Sequence, residues 1–205
     1  MSTSLTPKGA ATRERIVAGA AALLRERGVD EVSLDDIRAA TATSKSQLFH
    51  YFPDGRAGLL LAVARHEASA VLLDQEPHLT SLGPPESWAA WRDAVVERYE
   101  AQGTRCPLAA LTRQLAPTNP EVRPIVSDLL ETWRTRLTEG ARRAGAPDPE
   151  RSGLVILAAV QGGVGILMAT GDSTALRVAL DAALAEVGNA KGPVGDGPFR
   201  LAGGG

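Results

Sequence analysis

The stretch from Lys45 to Tyr51 carries side chains suited to reading hydrogen-bonding edges rather than to running a reaction. At about 100° per residue in a helix, Leu48, Phe49 and Phe52 gather into one apolar arc that would anchor it. Ser46, Gln47, His50 and Tyr51 fall roughly 160–300° from Leu48, on the opposite side. A solvated face ordinarily carries Glu and Lys; this one carries a hydroxyl, an amide, an imidazole and a phenol. Glutamine can bond bidentately to adenine, and serine or histidine can donate to base edges or phosphates. No carboxylate occurs between Thr41 and Pro53, so nothing there repels a phosphate backbone. Lys45 falls in the first turn, where it and the helix terminus favour the same anion.

Two short helices must position those groups. Ser33-Leu34-Asp35-Asp36 fits a capping box, in which the serine hydroxyl and the acid satisfy each other's backbone N–H. Ser44-Lys45-Ser46-Gln47 repeats the device, with glutamine as the reciprocal partner. Thr41-Ala42-Thr43 between them leaves room only for a tight turn, which gives a helix-turn-helix over residues 33–52. A helix over residues 12–27 precedes it, with Ile16, Val17, Ala20, Leu23 and Leu24 inward and Gly28 as its stop. Pro53-Asp54-Gly55 is a turn, and a longer helix over residues 57–74 follows.

Composition excludes more than it selects. The chain has 205 residues, 44% hydrophobic and 22% charged, with a net charge of −2. Residues 1–56 carry eight Lys/Arg and seven Asp/Glu, and the remainder 14 and 17, a slight tilt that alone says little. There is no Gly-rich phosphate loop, no Ser/His/Asp or Cys/His constellation and no paired carboxylates on an apolar face, so an enzyme is not expected. His66, His78 and Cys106 have no metal-ligand spacing, and no metal or cofactor is expected. The single cysteine and an N-terminus without an apolar core point to a cytoplasmic location. Residues 152–171 form an uncharged run of membrane-spanning length, but its glycines, alanines and Gln161 read as a buried helix rather than as a membrane contact.

Beyond residue 57 the helical period continues. Residues 75–85 form a connector, and helices are expected near 87–102, 107–115, 120–144, 149–170 and 173–187. Pro124, one turn into the third of these, should kink it or delay its start. The expected architecture is all-α with about nine helices: a disordered arm at 1–11, a three-helix head at 12–56, a body at 57–187 and a disordered tail at 188–205.

Residues 12–65 resemble the DNA-binding domain of the TetR family, whose hallmark runs Ile-Ala-x-x-Ala-Gly-Val-Ser-x-x-x-Leu-Tyr-x-x-Phe. Ile37, Ser44, Leu48, Phe49 and Phe52 stand in the matching places. Phe52-Pro53-Asp54-Gly55-Arg56 is similar to the turn of a subset that includes LmrA/YxaF-like repressors. The resemblance implies a dimeric, cytoplasmic, ligand-responsive repressor of double-stranded operator DNA, released by a small hydrophobic effector. An activator or a ligand-independent regulator would share the same fold. The resemblance implies base contacts from Lys45, Ser46, Gln47 and His50, and phosphate contacts from Tyr51 and Arg56, with Ser33, Ser44 and Phe49 in the same surface. Three positions depart from the pattern: Ala42 for the turn glycine, Thr43 for a packing valine, and Phe49 for a tyrosine whose hydroxyl is lost.

In the body, Trp88, Trp91, Tyr99, Cys106 and Trp133 are candidate effector contacts, since the resemblance places an apolar inducer between these helices; as residues alone they serve equally well as core. Ala158, Ala159, Gly162 and Gly163 give small-xxx-small spacings that let helices approach closely. Leu176, Leu180 and Leu184 supply bulk on the last helix, and the resemblance implies a homodimer through these two helices. A helical protein-binding scaffold is the reading from another class, and it leaves the capped head without a purpose.

Overall fold

The computed structural model describes residues 5–104 and 106–188. Among them run nine helices and no strand: α1 (Pro7–Arg27), α2 (Leu34–Ala40), α3 (Lys45–Tyr51), α4 (Arg56–Leu73), α5 (Pro85–Gln102), α6 (Pro107–Leu115), α7 (Val122–Arg143), α8 (Pro149–Thr170) and α9 (Thr174–Gly188). The expected all-α head and body are present. The arm expected to be unstructured at 1–11 is helical from Pro7. Thr6 caps it, its hydroxyl accepting from the Gly9 N–H at 3.2 Å, and Pro7 occupies the first helical position, where a missing N–H breaks no bond. Pro124 introduces no kink, because it is the third residue of α7 and its absent N–H belongs to the first turn. The expected tail beyond Gly188 lies outside the described residues.

The head closes around Ile16, Ala20, Leu24, Ile37, Leu48 and Phe52, all buried. α4 leads from head to body with Leu59, Leu60 and Val63 inward. One buried carboxylate sits on this helix: Glu67 receives the Arg25 guanidinium of α1 on both oxygens, at 2.8 and 3.4 Å. Burying a charge is tolerable only when it is paired in this way.

The body depends on close approach. A side-chain carbon at Gly153 of α8 would lie 2.3 Å from the Thr138 hydroxyl of α7, and one at Gly163 would lie 2.5 Å from the Leu176 Cα of α9. The uncharged run is α8, long and apolar enough to cross a membrane. Its packing accounts for that composition: Ile156, Val160, Val164 and Leu167 are buried within the body. The connector is tied down by Gln75, fully buried, which accepts from the Trp91 indole at 2.8 Å and donates to the Val71 carbonyl at 2.7 Å.

The Glu67 pair yields a prediction. Arg25→Ala leaves a buried carboxylate unpaired and should lower stability in urea denaturation by about 1–3 kcal/mol. Adding Glu67→Gln should recover at least half of that loss. A change below about 0.5 kcal/mol, the size of a solvent-exposed pair, contradicts this account.

Candidate nucleic-acid interface

Both capping boxes form. The Ser33 hydroxyl accepts from the Asp36 N–H at 3.1 Å, and the Asp36 carboxylate accepts from the Ser33 N–H at 2.9 Å. Those hydrogen bonds from Ser33 hold Asp36 below the usual carboxylate range. In α3 the Ser44 hydroxyl accepts from the Gln47 N–H at 3.2 Å, and the Gln47 amide oxygen accepts from the Ser44 N–H at 3.1 Å. Gln47 therefore has two duties: its oxygen closes the cap, while its amide nitrogen is the end that the cap does not use.

The turn between α2 and α3 is held by contacts that the sequence did not reveal. Ala42 has φ +46°, the left-handed region expected for a glycine position. Thr41 and Thr43 are both buried. The Thr41 hydroxyl donates to the Ile37 carbonyl at 2.7 Å and meets the Thr43 hydroxyl at 2.9 Å. The Thr43 hydroxyl also reaches the Thr41 carbonyl at 3.1 Å, so a polar atom in a valine's place is satisfied. The Arg15 guanidinium of α1 donates to that same Thr41 carbonyl. Gly19 of α1 leaves room for the Thr41 methyl, which would lie 2.4 Å from a side-chain carbon there. A glycine inside a helical pattern was the available signal.

The structure places the expected contact residues unevenly. Ser44, Lys45, Ser46, Gln47 and His50 are exposed, while Tyr51 is half-buried and meets His50 edge-on at 4.9 Å. Phe49 is no anchor: it is 42% exposed and lies beside Gly55. Leu48 and Phe52 hold α3 down, with Tyr51 packed beside them and the Arg13 guanidinium 5.2 Å over the Phe52 ring. Helical spacing put Phe49 at the edge of the apolar arc, and the edge falls on the solvent side. Arg56 points its guanidinium inward, donating to the carbonyls of Val29 and Val32 at 2.6 and 2.5 Å and closing the α1–α2 loop onto α4.

The body candidates do not converge on one pocket. Trp91 and Trp133 are fully buried core, and the Trp88 and Trp133 indole N–H groups have no hydrogen-bond partner among the described residues. Tyr99 is buried, and burial pushes its phenol up to about 12. Trp88, edge-on to Trp91, borders a cavity of about 490 Å³ between α5, the end of α7 and α9. Cys106 is elsewhere. Its thiol caps α6, accepting from the Ala109 N–H at 3.4 Å, and it lines a crevice of about 560 Å³ between α6 and the head. The expected dimer residues also divide. Gly163, Leu176 and Leu180 are buried within the chain because they join α8 to α9. Ala159 and Leu184 are half-buried, and Ala158 and Gly162 are exposed. Alongside these last two lie exposed Leu154, Gly165, Ile166 and Val178.

Two capped helices across a three-residue turn, the second free of acid, define a helix-turn-helix DNA-binding regulator. The chain belongs to the TetR family: residues 16–63 match the model of bacterial regulatory proteins of the tetR family. Residues 84–182 match that of the C-terminal domain of LmrA/YxaF-like transcriptional regulators. An uncharacterized HTH-type transcriptional regulator of Mycobacterium tuberculosis is 26% identical over 160 residues, 71% of this chain and 77% of its own. A TetR transcriptional regulator from Chloroflexus aurantiacus superposes with TM-score 0.70 at 26% identity, over 90% of this chain and 98% of its own. A TetR transcription regulator from Haloarcula marismortui gives TM-score 0.71 at 16% identity, over 87% and 97%. Family and relatives are transcriptional regulators, and this chain is one rather than an enzyme.

Three substitutions test the turn. Ala42→Gly relieves the left-handed alanine and should raise stability by up to about 1 kcal/mol, measured by urea denaturation. Gly19→Ala should lower it by about 1–3 kcal/mol through overpacking against Thr41. Thr41→Ser, which removes the obstructing methyl, should make Gly19→Ala markedly less harmful; strict additivity of the two changes would contradict the contact.

Proposed function

We propose that the chain is a ligand-responsive repressor that binds a palindromic operator as a homodimer. The observation that carries this reading is the exposed, acid-free face of α3, with Ser46, Gln47 and His50 turned outward beside Lys45. Side chains of these types address base edges, and Lys45 addresses phosphate. Gln47 reads through its amide nitrogen while the cap holds its oxygen, or releases the cap to bond adenine with both. The inward placement of Arg56 makes it a support for the α1–α2 loop before it is a phosphate contact.

The dimer reading rests on the outer face of α8 and α9. Gly162 and Gly165 have open space above them, and Leu154 and Val178 are 57% and 62% exposed. Large apolar side chains next to small ones, on a face that no described residue covers, suit a second copy of the same two helices. A two-fold dimer would present two α3 helices to major grooves about 34–36 Å apart. A small hydrophobic molecule held in the body would favour a dimer geometry that misfits this spacing and so release the operator, in the cytoplasm where the DNA lies.

Two experiments test the reading. In operator-binding assays, Gln47→Ala should relax base preference at one position by about 1–3 kcal/mol. Lys45→Ala should weaken all sequences alike and reduce the salt slope by about one. Equal loss on every sequence from both would contradict this division of roles. Separately, Gly162→Arg should turn the dimer into monomer in sedimentation without loss of helical content. An unchanged dimer would place the interface elsewhere.

A further inference from the structure

We propose that the cavity between α5 and α9 binds an amphipathic organic cation. The inference deepens the ligand-responsive reading and rests on it for any effect on DNA. Pro85, Trp88, Ala89, Leu184 and Val187 give the cavity apolar walls. A space of about 490 Å³ lies within the range of small-molecule sites.

Its charged side selects the sign of the ligand. Arg92 donates to both Asp181 oxygens at 2.9 and 3.0 Å and to Asp93 at 2.8 Å. One guanidinium therefore faces two carboxylates, and these leave one negative charge in surplus. An anion would have to take Arg92 from both acids, whereas a cation meets a lining that carries one more carboxylate than guanidinium. α5 begins at Pro85 behind the cap residue Pro84; neither offers an N–H to an anion, and Glu86 in the first turn offsets the positive end of the helix. The end of α7 at Ala144 lines the wall and contributes partial negative charge from its last carbonyls. Arg143 keeps its charge but is not part of the lining; its guanidinium turns to the carbonyls of Leu82 and Thr80.

The same acids tie two helices together. Arg92 is on α5 and Asp181 on α9, so their pair spans the cavity's edge. A cationic head that competes with Arg92 for Asp181 loosens that tie while its apolar body fills the space between the helices. α9 also carries Val178 on the outer face proposed for the dimer, so a ligand here acts on the interface directly.

The test uses tetraphenylphosphonium and tetraphenylborate, ions of nearly the same shape and opposite charge, in calorimetric titrations of the full chain. The phosphonium should bind once per chain and at least tenfold more tightly than the borate. Asp181→Asn, at an exposed position, should weaken the phosphonium at least tenfold and erase the preference. Ala89→Trp, also at an exposed position, should close the cavity and abolish binding with helical content retained. No phosphonium binding to the native chain, equal or tighter binding of the borate, or unchanged binding by Ala89→Trp would each overturn the proposal. Operator affinity is read in parallel. Phosphonium binding that lowers it supports both site and ligand response. Binding without any change in operator affinity upholds the site and contradicts the ligand-responsive reading.

Discussion

The pitch of α3 on the head depends on one backbone carbonyl. The Thr41 carbonyl receives Arg15 from α1 and the Thr43 hydroxyl from the far side of the turn. The chain then reverses through Ala42 at positive φ, a conformation that costs an alanine about 1–2 kcal/mol. Packing must supply that energy. It comes from Gly19, whose missing side chain lets Thr41 seat against α1, and from Leu48 and Phe52 beneath α3. Loosening any of these would leave the outward residues in place chemically while misaiming them, and base readout tolerates little misplacement.

The head is also fixed to the body by charge in a few defined places. Arg56 fastens the α1–α2 loop to the start of α4, and Arg25 fastens the end of α1 to Glu67 further along it. α4 is thus clamped at two levels to the domain that touches DNA. A shift of α4 in the body is therefore passed to the head through these contacts. In the proposed function, this connection is the route by which a ligand between body helices would alter groove spacing.

Much of this was legible in the sequence, and the misses have identifiable physical causes. Both capping boxes are local, set by residues three apart, and Ser33, Ser44 and their partners were readable without a fold. The turn position of Ala42 was readable only through the resemblance, which places a glycine there, and the structure shows its positive φ. Phe49 was misplaced because periodicity gives an angle, whereas exposure depends on what the neighbouring helix covers. Gly163, Leu176 and Leu180 are chemically suited to either an internal or an external helix contact, and only the fold shows that α8 and α9 use them on each other. Arg56 and Gly19 act across more than twenty residues of sequence, so nothing in their vicinity announced their partners. The tryptophans could be named as core or pocket but not divided, since that depends on which helices leave a gap.

The central claim is that α3, presented twice by a symmetric dimer, reads DNA. Selection of bound sequences from random duplex DNA at low salt tests it most directly. The account predicts an enriched palindrome with half-sites one helical turn apart. Enrichment of no symmetric sequence, with binding that is the same on every duplex, would contradict it.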